Sequence, residues 1–168
     1  MKTIRATGKH LEWAHPDIEK PLYELRDGDD PVATLEETST DSAIAKTGEG
    51  AWLFRKFGYA NPHVIVKREG SDTEEARFDS SETEPGLLKL SNGRQFKWEG
   101  HLWRAAWSWN DVSGQRMLTL KRDFAVAEKH EGRVEITDQG ADSDHLGLLV
   151  LVGWYLVLLA AESSGDAG

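Results

Sequence analysis

LGLLVLVGWYLVLLAA, running from Leu146 to Ala161, contains no charged residue, and its only polar side-chain atoms belong to Trp154 and Tyr155. Wound as a helix it has no polar face. A helix that is apolar all round must be enclosed, by protein or by lipid. Sixteen residues extend about 24 Å at 1.5 Å per residue, short of the ~30 Å hydrocarbon core that usually takes about 20 apolar residues. Asp142, Asp144 and His145 precede the run, Glu162 and Asp166 follow it, and no Lys or Arg lies from residue 141 onward. Membrane helices favour basic flanks, and Trp and Tyr belong at the interface rather than mid-bilayer. The run therefore reads as a buried core helix over about 145–161, and a tail anchor is the alternative. Asp142, Ser143 or Asp144 is expected to cap it, since short polar side chains and acids suit a helix N-terminus.

Upstream the chain reads as short strands divided by turns. Asp27-Gly28-Asp29-Asp30-Pro31 is a turn; its acids lack the spacing of a calcium loop. His63–Arg68 (HVIVKR) is β-rich. Leu87–Leu90, then Ser91-Asn92-Gly93-Arg94, then Gln95–Trp98 form a hairpin in which Asn-Gly supplies the φ > 0 positions of a tight turn. Trp52 and Phe54 share a strand face, as do Phe96 and Trp98. Trp103, Ala105, Trp107 and Trp109 line one side of a strand over 103–110, with Arg104 and Ser108 opposite. Further short strands are expected at Val32–Leu35, Ala76–Phe78, Phe124–Ala127 and Val134–Ile136, with a turn at His130–Gly132. About twelve antiparallel strands followed by one apolar helix predict a mainly β, closed barrel with its own C-terminal segment as the filling. It would form one domain over 1–162, with a short flexible tail at 163–168.

Composition narrows the function. The 168-residue chain has a net charge of −9 and no cysteine. Cysteine chemistry is excluded, and nucleic acid is not an expected partner of so acidic a chain. MKTIRATGKH has no apolar leader region, so a secretory signal is not expected. The six histidines form no HxH or HExxH pair, and no GxSxG, P-loop or GxGxxG motif occurs. Abundant carboxylates leave an enzyme of unknown reaction as an alternative; no cofactor is expected. Dense basic spots occur at Lys67-Arg68, at Arg94 with Lys97, and at Lys121-Arg122.

The order of these features, above all Asn92–Trp98, Trp103…Trp107-Ser108-Trp109 with the Asp111…Gly114 turn, and Leu148–Leu156, resembles the tubby-like barrel superfamily. That group comprises tubby C-terminal domains, plant LURP-one-related proteins and phospholipid scramblases, and this chain is most similar to its short bacterial members over residues 50–160. The resemblance implies a non-enzymatic, monomeric binding or scaffold module, cytoplasmic and at most peripheral at a membrane, for a phospholipid or phosphoinositide headgroup or a protein. It makes Lys67, Arg68, Arg94, Lys97, Lys121 and Arg122 the candidate lipid-binding residues. Asp138, Asp142 and Asp144 sit where scramblases keep acidic residues, a calcium alternative that helix capping rivals.

Overall fold

The computed structural model describes residues 3–4, 7–58, 61–101, 104–123 and 129–165. Twelve strands are present: β1 His10–Ala14, β2 Leu22–Asp27, β3 Asp30–Ser39, β4 Ser42–Thr47, β5 Gly50–Phe57 and β6 His63–Arg68. They continue as β7 Glu74–Asp79, β8 Gly86–Leu90, β9 Gln95–His101, β10 Ala106–Asp111, β11 Arg116–Asp123 and β12 Glu131–Ile136. Every neighbouring pair is antiparallel, and β1 closes on β12 (His10 opposite Glu135) to complete a barrel. A short helix, α1 (Asp138–Ala141), leads into α2 (Leu146–Gly165).

The strands close because their side chains alternate. In β6, Val64 and Val66 point inward and are buried while Ile65 and Lys67 line the outer wall. What fills the interior is α2. Every residue from Leu146 to Leu159 is buried, so no face of the helix is left to solvent. Its contacts come from around the barrel. Trp154 stacks on Trp13 of β1 at 5.3 Å with planes 6° apart, and meets the edge of Tyr23 of β2. Tyr155 packs on Phe54 of β5 at 5.5 Å. Among the described residues no helix is long and apolar enough to cross a membrane, and the apolar run that suggested an anchor is covered by the chain's own strands.

Gly153 explains how the helix is oriented. A Cβ there would lie 2.9 Å from Leu120 Cδ1 and 3.0 Å from Trp109 Nε1. The bare backbone lets the Trp109 indole reach past it to donate to the carbonyl of Leu149, one turn earlier, at 2.8 Å. A buried indole N–H needs such a partner.

The structure corrects several sequence expectations. β3 is far longer than Val32–Leu35 because its polar residues face outward. Glu131 and Gly132 belong to β12 rather than to a turn. A Cβ at Gly132 would run into the Lys121 carbonyl and lie 3.0 Å from the Trp154 ring. Hence it is glycine for packing, not for turning. The expected strand over 103–110 begins only at Ala106: Arg104 and Ala105 form a turn, with Ala105 at φ 53°. Trp103 and the strand expected at Phe124–Ala127 lie outside the described residues. In the Asn92-Gly93 hairpin only Gly93 has positive φ (91°). Leu90 N–H bonds to Arg94 O while Gly93 N–H bonds to Leu90 O, a three-residue loop that the Asp111–Gln115 turn repeats. α2 starts at Leu146, with Leu149 N–H bonded to His145 O. Ser143 Oγ accepts from His145 N–H just outside the helix, and Asp142 serves as the C-terminal cap of α1. The helix runs on to Gly165, into the segment expected as a tail.

Candidate functional site

With the interior filled, chemistry is confined to the outer wall and the two mouths. The basic spots read from sequence fall on three separate parts of the barrel, since β6, β9 and β11 are not adjacent in the strand order. Arg68 stands at the mouth where α2 begins and is taken up structurally. Its guanidinium covers the buried Trp52 at 4.7 Å, and it donates to Glu75 Oε1 and to the Glu49 carbonyl, both at 3.4 Å. Glu75 in turn accepts from Trp52 Nε1 at 3.1 Å. Arg94, at the same mouth, lies over Phe96 at 5.6 Å and lines a cleft with Asp138, Asp142 and Asp144. Of the base candidates, Arg94 alone thus shares a cleft with the acid candidates. Asp138 also pairs with Lys9, and among the described residues no group of three or more His, Cys, Asp or Glu is placed to hold a metal. Lys97 is exposed on β9. Lys121 pairs with Glu135 at 3.6 Å on the wall.

Lys67 has the most suggestive surroundings. It lies opposite Leu53 in the β5–β6 register, with Arg55 opposite Ile65 one step along. Leu53 is 38% exposed and Phe57 44%, unusual for large apolar side chains on a barrel wall. The Arg55 guanidinium sits 5.5 Å from the centre of the Phe57 ring, a cation–π geometry. These residues, with Asp72 and Glu74 at one rim, line an outer groove of about 520 Å³.

Arg122 joins a cluster that sequence reading missed, at the mouth where α2 ends. Its Nη2 donates to His130 Nδ1 at 3.1 Å. His15 Nε2 donates to the Lys20 carbonyl at 2.7 Å, and its Nδ1 accepts from His130 N–H at 3.3 Å. Held between these two backbone partners, His15 is a buried structural histidine. Burial, then Arg122 and His15, depress the pKa of His130. Beside them Tyr23 donates to Glu37 Oε1 at 3.4 Å. Burial, followed by a hydrogen bond and charge repulsion from Glu162, raises the Glu37 carboxyl to about 8, although the Tyr23 hydrogen bond opposes this. Tyr23 and Tyr155 are held well above the usual phenol range by burial, with Glu37 and Glu162 adding to it. The last turn of α2 carries no base, so the negative end of its dipole also favours an uncharged neighbour. The only signal in the sequence was the inward phase of Tyr23 and Glu37 on their strands.

Comparison with known proteins returns the fold. The X-ray structure of a protein from Arabidopsis thaliana superposes with a TM-score of 0.56 at 12% identity, covering 93% of each chain. At that identity the likeness is one of architecture: twelve antiparallel strands closed into a barrel. No protein-family model matches the chain, and no curated protein is found similar to it.

Proposed function

We propose that the chain is a tubby-like barrel acting as a non-enzymatic binding module, and that the outer groove of β5 and β6 takes the headgroup of an anionic phospholipid. The observation that carries this reading is the exposure of Leu53 and Phe57 beside Arg55 and Lys67. An amphiphile with an acidic headgroup satisfies both chemistries at once: cations on the headgroup, apolar side chains at the acyl boundary. A barrel whose core is its own helix has no interior room for a ligand, which turns binding outward. Peripheral association at a membrane surface follows, without insertion of any helix.

Co-sedimentation with phosphatidylcholine vesicles, with and without phosphoinositide, tests the proposal. Binding only to the anionic vesicles at low salt, abolished by Arg55→Glu with Lys67→Glu, is the expected result. No binding to either vesicle at low salt would remove the lipid reading and leave a protein as the partner of the groove.

A further inference from the structure

A second cleft opens beneath the loop joining β7 and β8. Its floor is aromatic, formed by Phe78, Trp98 and Trp107. Its walls carry Glu82, Glu84 and Glu99, all exposed, and among the described residues no Lys, Arg or His contributes to the lining. The volume is about 510 Å³.

The floor depends on two glycines. A Cβ at Gly100 would run into the Trp107 ring, and one at Gly86 would run into Phe78. Both rings therefore occupy space that a side chain at either glycine would need. The loop above is organised by its own side chains: Ser81 Oγ accepts from Thr83 N–H and Glu84 N–H, each at 3.3 Å. Ser80 Oγ donates to the Pro62 carbonyl at 2.7 Å. Glu82 and Glu84 are thus presented from a folded loop, and Glu99 from β9, beside the aromatic floor.

Aromatic faces and carboxylates attract the same class of ligand. The negative face of an indole ring favours a cation, and a nearby carboxylate favours it further. We infer that this cleft binds a basic peptide segment of a protein partner, with a Lys or Arg side chain seated against Trp98 and neighbouring cations facing Glu82, Glu84 and Glu99. Three carboxylates around one floor call for more than one positive charge. A peptide with neighbouring bases supplies them, and a single small ammonium does not. The net charge of −9 adds long-range attraction for a polycation. This inference is independent of the lipid groove, which shares no lining residue with this cleft and carries two bases beside its two acids.

The test is fluorescence anisotropy on the full chain with a labelled peptide of alternating arginine and glycine, and with tetramethylammonium as competitor. The peptide is expected to bind at low salt and weaken steeply as salt rises, as the screening length falls below about 10 Å. Glu82→Gln, Glu84→Gln and Glu99→Gln together are expected to weaken it by about tenfold or more. The control changes net charge equally at exposed positions elsewhere: Glu12→Gln, Asp29→Asn and Glu36→Gln. Equal melting temperatures for the two triple variants confirm that both are folded. Equal weakening by the two triples would overturn the inference, because binding would then be diffuse. So would the absence of peptide binding, or displacement by tetramethylammonium at matching concentrations.

Discussion

At its N-terminal end α2 is held by backbone and uncharged side-chain hydrogen bonds, with His145, its pKa lowered by burial and then by Arg94, just outside the helix. Thr137 caps α1 by accepting from Gly140 N–H at 3.0 Å, its hydroxyl donates to backbone carbonyls of β11, and Trp109 donates to Leu149 O. At its C-terminal end the same helix meets Glu37, Glu162, Tyr23, Tyr155, His130 and Arg122, a mouth crowded with ionisable groups. One end is fixed by backbone geometry and the other by protonation. Heat and denaturant should test both ends, whereas raising the pH above neutrality should reach the second, where Glu37 titrates at about 8.

The largest effect is expected between the ends. Gly153→Trp has no room beside Leu120 and Trp109, and its cost should far exceed the ~1–3 kcal/mol of ordinary overpacking. Near-ultraviolet circular dichroism should show no native signal; a soluble variant with an unchanged melting temperature would contradict the packing. Next, at the N-terminal end, Gly140→Ala would drive a methyl into the Met117 carbonyl oxygen. Backbone must move there, so a loss of about 3 kcal/mol is expected in urea denaturation.

The C-terminal end supplies the pH test. Glu37 has a folded pKa raised to about 8, against an ordinary 4.5. An acid so raised binds its proton more tightly when folded. Its stabilising contribution is therefore complete below about pH 4.5 and is lost as pH rises through 8. Glu37→Gln should flatten the fall in melting temperature across that window. At pH 9 it should gain on the order of 1 kcal/mol over the parent, a figure discounted for solvent screening. Parallel pH profiles for the two proteins would show that this mouth does not titrate as described. The smallest effect is at the other end. Trp109→Phe removes the hydrogen bond to Leu149 and should cost about 1 kcal/mol at every pH. A pH-dependent loss there would blur the distinction between the two ends.

How much of this could be read from the chain depended on range. The apolar run, the Asn92-Gly93 hairpin and the alternation in Trp107-Ser108-Trp109 are local patterns, and each led to the right element. Gly132 misled because a glycine beside a histidine and a glutamate looks like a turn. Its real partner, Trp154, lies on the helix, out of reach of any local window. Arg68 read as a surface base, yet its position over Trp52 depends on the β5–β6 register. The mouth cluster was illegible for the same reason: His15 and His130 meet across 115 residues of chain. The two clefts required knowing which side chains share an outer face, which twelve correct registers decide together.

Closure of β1 on β12 sets the order in which this molecule can be made. Strands leave the ribosome first, at roughly 5–20 residues per second, and for most of that time they have no partner to end the sheet and no helix to cover. The core arrives last, as a single segment. Until it does, the inner faces of twelve strands are an apolar surface in need of cover, a period when aggregation competes with folding. Contacts spanning nearly the whole chain also slow folding. In a nascent barrel of this kind, cover for the inner faces of the strands therefore has to wait for the helix that follows them.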